Sequence, residues 1–257
     1  NPDLTATAVD LTRARRLPTN ANVAFQGPVL VGAFDVPAET ARAWLRLPLN
    51  PNGKSNRDVL FPLRNGKDIN SRPRDAWVIS FDRMIEPDAA LYEAPFRHVV
   101  DFVKPVRALN KRQRRRELWW RHGDLAPKMW AQVSRLSRFM IGSQVSKHRV
   151  FSWADKRIWP HQTVIAIARE DDTTFGIVHS RFHSLWSLRL GTWLGVGNDP
   201  RYTPTTTFET FPFPEGLGPD VDASAYAEVP RALAIATAAA RLNELRENWL
   251  NPADLVR

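Results

Sequence analysis

The spacing of hydrophobic and polar positions changes several times along the N-terminal part of the chain, which predicts short strands mixed with short helices. Residues 23–34 alternate around Gly27-Pro28 and predict a β-hairpin. Residues 37–46 combine good helix formers with a proline suited to a first turn, and predict a short helix. Residues 58–63 predict a strand interrupted at Pro62, whereas residues 76–81 predict a buried strand.

Helical spacing begins after residue 86. One apolar helical face is predicted from Phe96, Val99, Val100 and Val103. Pro105 should kink or restart this helix, because proline cannot donate a helical hydrogen bond. Trp119 and Trp120 follow a charged stretch and are predicted to lie in the core, with stacking on an extruded base as the alternative.

The middle of the chain predicts further strands and a long helix. Alternation over residues 139–153 and an apolar run over residues 163–168 indicate two or three neighbouring strands. Hydrogen-bond donors are expected along one of them, at Gln144, Ser146, Lys147, His148 and Arg149. Residues 174–190 predict one helix, with an apolar stripe formed by Phe175, Val178, Phe182, Leu185, Trp186 and Leu190.

The C-terminal part predicts a domain end and a separate helix. The β-branched residues over 203–210 favour an extended segment, and the prolines over 211–214 should end the domain. A helix is predicted from Pro230, packing through a narrow seam of Ile235, Ala238, Leu242, Leu245 and Trp249. This seam would dock on the rest of the same protein, or less simply on a second copy.

These elements together predict an α+β fold, with a mixed sheet flanked by helices and a short C-terminal helical segment. The predicted boundaries are residues 1–215 for the domain and 216–257 for the helical segment.

Composition fits a folded globular protein. The 257 residues are 43% hydrophobic and 25% charged, and no apolar run is long enough for a membrane span. The absence of cysteine excludes disulfides and thiolate metal sites, and a cytoplasmic location is the default expectation. Because the chain begins with Asn1-Pro2, it is expected to be a piece of a longer protein.

Positive charge is concentrated in one block. Residues 97–157 contain 16 Lys and Arg but 4 Asp and Glu, although the net charge of the whole chain is +9. Such a block is typical of a protein that binds a polyanion, and a merely solvated basic face is the alternative.

Residues 191–214 are the strongest candidate for recognition chemistry. Gly191, Gly195 and Gly197 permit close backbone approach, and Asn198-Asp199-Pro200 predicts a turn that presents Arg201 and Tyr202. The alternative is that Arg201 caps a strand and Tyr202 packs in the core.

The same stretch carries a family resemblance. The sequence RYTPTTTFETFPFP (201–214) resembles the end of the target-recognition domain in type IIG and type IIL (Mme-type) restriction–modification proteins. Further blocks occur in the order of that family: residues 24–27, 31–32, 41–45, 50–53, 65–69, 72–73, 77–79 and 182–186. The resemblance covers nearly the whole chain.

The resemblance implies a role in DNA recognition. Such proteins are class I S-adenosylmethionine-dependent DNA adenine-N6 methyltransferases, either alone or combined with a restriction nuclease. The partners implied are double-stranded DNA and a methyltransferase domain N-terminal to Asn1, and S-adenosylmethionine would bind the parent protein. No catalytic residue, cofactor, metal or membrane contact is expected in this chain.

The chemistry of the residues agrees with this division. Residues 198–202 lack the second proline of the methyltransferase motif that holds a flipped adenine, and no glycine-rich cofactor turn is present. His179 and His183 have the i, i+4 spacing of zinc ligands but lack the glutamate of the metalloprotease motif.

Candidate DNA contacts follow in two groups. Base recognition is predicted for Asn198, Asp199, Arg201 and Tyr202, with Asn65 and Lys67 as second candidates. Phosphate binding is predicted for Lys111, Arg112, Arg114, Arg115, Arg116, Lys147 and Arg149. The alternative function is a protein-docking module that uses the C-terminal helix, and it differs because its binding should depend little on salt.

Overall fold

The computed structural model describes residues 14–194 and 199–252 and confirms the α+β fold. The strands are β1 (Ala24–Gln26), β2 (Asp35–Pro37), β3 (Leu60–Arg64), β4 (Ala76–Ile79), β5 (Arg138–Ser143), β6 (Phe151–Asp155), β7 (Trp159–Pro160), β8 (Val164–Ile167), β9 (Thr192–Leu194) and β10 (Asp199–Arg201). The α-helices are α1 (Ala38–Leu45), α2 (Gly66–Asn70), α3 (Glu86–Ala90), α4 (Glu93–Phe102), α5 (Lys104–Ala108), α6 (Gln113–Glu117), α7 (Pro127–Val133), α8 (Asp172–His179), α9 (Arg181–Leu190), α10 (Pro204–Thr207) and α11 (Pro230–Leu250).

One four-stranded sheet has the order β2-β4-β3-β7. Its central strand β4 is antiparallel to β2 and β3, and Val78 and Ile79 are completely buried, which confirms the strand predicted at 76–81. β3 continues through Pro62 rather than stopping there. Its parallel pairing with β7 begins at Leu63, after the residue that lacks an N–H, so the proline removes no hydrogen bond from that pair.

A second sheet has the order β1-β8-β5-β6, with every pair antiparallel. Alternate residues of its central strands enter different hydrophobic clusters. Met140 and Ile165 pack with Phe175, whereas Ile141 and Val164 pack in another cluster. Because side chains alternate across a strand, both faces of this sheet are covered, and the strands predicted at 139–153 and 163–168 are neighbours as expected.

The hairpin predicted over residues 23–34 is wrong. β1 pairs with β8, about 140 residues further along the chain, and not with the residues that follow Gly27-Pro28. Val29 instead forms an isolated bridge with Asp124. The local alternation correctly predicts an extended segment, but its partner strand is β8 of the second sheet, which is distant in sequence.

The helices after residue 86 follow the predicted pattern. α4 ends at Phe102 and α5 restarts with Pro105 in its first turn. Trp119 and Trp120 both lie in the core beside Phe96, so their predicted packing role is confirmed and stacking on a base is excluded in this conformation.

The single helix predicted at 174–190 is in fact two. Ser180 has an extended conformation, ends α8, and caps α9 by accepting a hydrogen bond from the His183 N–H. The break changes which residues face inward: His183 and Ser187 are buried, whereas Phe182 is 81% exposed. The predicted apolar stripe therefore holds for α8 but not for α9.

Residues 203–210 are not extended as predicted. They contain α10, which begins with Pro204 in its first turn. The Thr207 and Thr210 hydroxyls donate to the Thr203 and Thr206 carbonyls, which satisfies acceptors at this short helix. These local hydrogen bonds oppose the strand preference of β-branched residues.

α11 docks on α8 of the same chain, as predicted, and Ile235 of the predicted seam lies at this contact. Gly176 allows this close contact, since a Cβ there would lie 2.6 Å from the Ile235 side chain, and Ala232 and Ala239 are buried nearby. Leu242 and Leu245 of the predicted seam are exposed, and Trp249 is 84% exposed. The domain boundary at 215 stays a prediction.

Across residues 14–194 and 199–252, every helix is too short or too polar to cross a membrane.

Candidate nucleic-acid interface

Three segments that are distant in sequence meet at one end of the second sheet. They are α2, the β5–β6 connection (residues 144–150), and the β9–β10 hairpin. The Ser146 hydroxyl lies 3.3 Å from the Asn70 Oδ1, and the Ser146 N–H donates to the Pro200 carbonyl at 3.3 Å. The connection thus contacts both of the other segments. We call the solvent-facing side of these three segments the composite surface.

α2 supplies Lys67 to the composite surface. Asn65 caps this helix: its side-chain oxygen accepts from the Lys67 and Asp68 N–H groups, and the Asp68 carboxylate accepts from the Asn65 N–H. The Gly66 N–H donates to the Thr163 hydroxyl, which ties the turn to the second sheet. Because the cap occupies the Asn65 oxygen, Asn65 positions the turn, and Lys67 is the residue exposed to solvent.

The β5–β6 connection supplies Lys147. It was predicted to be a strand lined with donors, but it forms a loop after β5 that pairs briefly with β10. The Tyr202 N–H donates to the Gln144 carbonyl at 2.7 Å, and Val145 forms a bridge with Arg201. Lys147 and His148 are exposed, whereas Gln144 and Arg149 are buried.

The β9–β10 hairpin supplies Asp199 and Arg201. Asp199 pairs with Leu194 and Arg201 pairs with Thr192. Residues two apart on a strand share a face, so Asp199 and Arg201 both point outward while Pro200 between them is buried. Arg201 is half-buried, and its Nε is buried without a hydrogen-bond partner among the described residues. Asn198 lies outside the described residues, as do Gly195 and Gly197.

Trp193 is a further exposed residue of this hairpin that the sequence interpretation missed. It is 50% exposed and pairs with Pro200, so it lies on the opposite face of the hairpin from Asp199 and Arg201. Both neighbours on β9 are exposed as well, so the strand buries no face of its own. The available signal was a tryptophan in a short strand flanked by Gly191 and Gly195.

The base-recognition prediction for Tyr202 is wrong. The side chain is 1% exposed, and its hydroxyl lies 3.0 Å from the His183 Nε2. His183 Nδ1 lies 2.8 Å from the Val178 carbonyl, which can only accept, so Nδ1 carries the proton and Nε2 accepts from the tyrosine. Burial lowers the pKa of His183 to about 4 and raises the pKa of Tyr202, which keeps both groups neutral. Tyr202 anchors β10 to α9.

The phosphate-binding prediction for Arg149 is also wrong, because the side chain is 8% exposed and its guanidinium is bonded to protein groups beneath the hairpin.

The five basic residues of segment 111–116 lie elsewhere, on and before α6. Lys111, Arg112, Arg114 and Arg116 are exposed and Arg115 is half-buried. Arg116 donates to the Asn110 carbonyl at 2.7 Å. α6 contacts α5 and is followed in sequence by the core tryptophans Trp119 and Trp120, whereas the composite surface lies at one end of the second sheet.

The described residues, 14–194 with 199–252, contain no cluster of three His, Asp or Glu side chains suited to hold a metal ion. His179 and His183 do not form a zinc pair here. The His179 Nε2 accepts from the Phe151 N–H at 3.1 Å, and its Nδ1 lies 2.9 Å from the Phe175 carbonyl.

Gly191 determines how closely the hairpin approaches α9, and gives a first prediction. A Cβ at this position would lie 2.6 Å from the Ser187 carbonyl oxygen and 2.7 Å from that of Arg201. Gly191→Ala is therefore expected to displace the hairpin and to lower the free energy of unfolding by about 1–3 kcal/mol, measured by urea unfolding. Gly218→Ala is the control, because its close contact is the flexible Asp220 side chain. Equal stabilities for the two variants would contradict the prediction.

Comparison with known proteins identifies the family. Residues 69–215 match the family model described as "MmeI, target recognition domain", which covers more than half of the chain, and the chain therefore belongs to that family. This confirms the resemblance drawn from the sequence. The match includes Lys147, Trp193, Asp199 and Arg201, whereas Lys67 lies just before it.

A solved structure that the fold resembles is that of the type IIL restriction-modification enzyme MmeI in complex with DNA. The TM-score is 0.68 at 13% sequence identity, and the match covers 90% of this chain. It covers 28% of the MmeI chain, so this chain spans less than a third of that enzyme. No curated protein matches the chain significantly in sequence.

Proposed function

We propose that this chain recognises a specific sequence in double-stranded DNA on behalf of a restriction–modification protein. In this proposal the protein methylates adenine at N6, in a methyltransferase domain N-terminal to this chain that binds S-adenosylmethionine. The chain itself contributes recognition and no catalytic residue. The proposal is supported by membership of a target-recognition family and by the fold shared with an enzyme whose structure was determined in complex with DNA.

The observation that carries the proposal is the composite surface. Exposed donors from Lys67 and Lys147, and the outward pair Asp199 and Arg201, are held by hydrogen bonds among three segments. Cations and a carboxylate on one pre-positioned surface suit a groove of DNA better than a small apolar ligand.

Asp199 and Arg201 are the proposed base-reading residues. An arginine can bond both O6 and N7 of guanine, and an aspartate can accept from N4 of cytosine. Since the two side chains share one face of β10, they suit the two bases of one G·C pair in the major groove. Each good contact of this kind contributes about 1–3 kcal/mol of discrimination against the wrong base.

Lys147 is the proposed phosphate contact at the composite surface, Lys67 stays a second candidate for base reading, and α6 is a second proposed phosphate-binding surface. Cations that neutralise phosphates release condensed counterions, so they contribute affinity without reading sequence. The selected adenine would then be flipped into the separate catalytic domain, a step that costs a few kcal/mol of unstacking.

Selection from a pooled library of short DNA duplexes tests the function directly. The unaltered chain is expected to enrich one site, and Arg201→Ala is expected to lose preference at one base pair of that site by about 5- to 150-fold. Binding constants for the selected site and its single-base variants give this ratio.

Arg97→Ala is the matched control, since Arg97 is an exposed arginine on α4, away from the composite surface. It should leave the enriched site unchanged. Failure of the unaltered chain to prefer any site at low salt would contradict sequence recognition by this chain.

A second candidate function is a protein-docking module, favoured by the exposed row Leu242, Leu245 and Trp249 on α11. Apolar docking depends little on salt, whereas phosphate binding weakens steeply with it. A salt titration of binding therefore separates the two functions.

A further inference from the structure

We infer that Arg149 is a positioning residue for base recognition, which holds the β9–β10 hairpin so that Asp199 and Arg201 meet the DNA in one fixed geometry. This inference rests on the proposed function. The sequence predicts Arg149 to contact phosphate, but the side chain is buried. In the positioning role it needs no contact with DNA.

The Arg149 guanidinium joins three parts of the structure. Its Nη1 donates to the Pro200 carbonyl at 3.2 Å, and its Nε donates to the Ser187 hydroxyl of α9 at 3.2 Å. Nη1 also lies 3.5 Å from the Ser146 carbonyl of its own loop. Pro200 is the residue between Asp199 and Arg201, so the bond to its carbonyl acts at the centre of the outward pair.

The same carbonyl is bonded from a second direction. The Ser146 N–H donates to the Pro200 oxygen at 3.3 Å, so a backbone N–H and the Arg149 side chain of the β5–β6 connection both donate to this oxygen. Gly191 at the start of the hairpin is equally close, because a Cβ there would lie 3.4 Å from the Arg149 Nη2. The hairpin therefore rests directly on the guanidinium.

The charge of Arg149 is not balanced by a carboxylate. Among the described residues its polar contacts are neutral oxygens, the guanidinium carbon lies 5.5 Å from the centre of the Tyr202 ring, and Nη2 is buried without a hydrogen-bond partner. Burial lowers the pKa of this arginine. A buried cation without a counter-ion is a poor source of stability. Its planar fork of donors, however, reaches several acceptors at once, which suits it to fix geometry.

This combination separates positioning from stability. Arg149→Met keeps the length of the side chain and removes the buried charge together with its hydrogen bonds. The variant is expected to unfold at a similar temperature, yet to lose at least about 5-fold of the discrimination at the base pair that Arg201→Ala identifies. Its salt dependence of binding should equal that of the unaltered chain, because Arg149 contacts no phosphate. Arg149→Lys retains the charge with a single donor group, and should recover part of the discrimination.

Amide hydrogen exchange provides a readout that does not need DNA. The Ser146 and Tyr202 amides, which bond the Pro200 and Gln144 carbonyls, should exchange faster in Arg149→Met, whereas amides of α8 should not. Ser187→Ala removes one acceptor of the guanidinium and should cause a smaller increase in exchange at the same two amides. This variant replaces Arg149→Met as the test if Arg149→Met does not fold. Arg246→Met is the control. Arg246 is a half-buried arginine, but it donates to the Phe151 carbonyl at the start of β6 and not to the hairpin.

Unchanged exchange at Ser146 and Tyr202 would overturn the inference, as would unchanged base discrimination. A salt slope reduced by about one phosphate would overturn it as well, since Arg149 would then contact DNA itself. If the unaltered chain prefers no DNA site, the proposed function fails, and the exchange result alone decides whether Arg149 holds the hairpin.

Discussion

Replacing Arg114, Arg115 and Arg116 of α6 together by alanine is expected to lower the affinity for DNA by roughly 10²- to 10³-fold near 0.1 M salt. Each phosphate neutralised by a cation contributes about 0.9 to the slope of log affinity against log salt, so the slope should fall by about 2 to 3. The measurement is binding of a random duplex over a salt series. Site preference should persist, because these side chains belong to α6 and not to β10, which carries the proposed base-reading residues.

The lysine triple variant at the same positions is the matched control. It retains the three charges without the planar guanidinium fork, and phosphate accepts lysine as a point charge. Its salt slope should stay close to that of the unaltered chain. An alanine triple with an unchanged slope would show that α6 is a solvated basic face, and phosphate binding would then have to come from Lys147 and other cations.

Hydrophobic spacing predicts the core elements of this fold well, because it records burial directly. β4 and the pair α4 and α5 lie where the pattern placed them, and Trp119 and Trp120 pack as predicted. It fails where a strand's partner is far away in sequence, as for β1 and β8. It also fails where one polar residue interrupts a helix: the Ser180 cap reorients α9 and buries His183.

The candidate site was predicted less completely, because its side chains are sorted by tertiary contacts. Arg201 and Tyr202 are adjacent in sequence, yet alternation along β10 points one outward and buries the other against His183. Lys147 and Arg149 are two residues apart and would share one face of a strand, but the loop that contains them exposes Lys147 and buries Arg149. Residue type indicates what a side chain can bond, whereas only the fold determines whether solvent or protein provides the partner.

The hairpin is held by three buried polar side chains, which are the neutral His183 and Tyr202 and the arginine Arg149, which has no carboxylate partner among the described residues. His183 and Tyr202 hold one end of β10 to α9, and Arg149 holds its centre. Tight anchoring of this short hairpin reduces the ordering that DNA binding requires, and so lowers the free-energy cost of binding.

Acidification from pH 7 to pH 4 is expected to remove several kcal/mol of folding stability through buried histidines. Burial lowers the pKa of both His122 and His183 to about 4, compared with 6.5 for an unperturbed histidine. The unfolded state therefore binds more protons between pH 6.5 and pH 4. The contribution of these histidines to the free energy of unfolding is fully present above about pH 6.5 and declines as the pH falls towards 4. At 1.36 kcal/mol per pKa unit, each histidine contributes on the order of 3 kcal/mol.

The surroundings of the two histidines support this direction. His122 donates to the Ile79 carbonyl and packs edge-on against Phe34, and the only charge with a resolved effect on its pKa is that of Arg107, which opposes protonation. His183 faces Arg149 and His179, which also oppose it. The pKa values of His161 and His179 are lowered by burial as well, so their contributions have the same sign.

Urea unfolding at several pH values between 7.5 and 4 measures this dependence, and His183→Gln isolates one contribution. Glutamine can donate to the Val178 carbonyl and accept from the Tyr202 hydroxyl, but it does not titrate, so the variant should lose less stability on acidification by on the order of 3 kcal/mol. His148→Gln is the control for the substitution itself, because His148 is exposed on the β5–β6 connection. Identical profiles for the His183 variant and the unaltered chain would show that His183 takes up its proton in the folded state as readily as in the unfolded state, in which case Nε2 would donate to the Tyr202 hydroxyl instead of accepting from it.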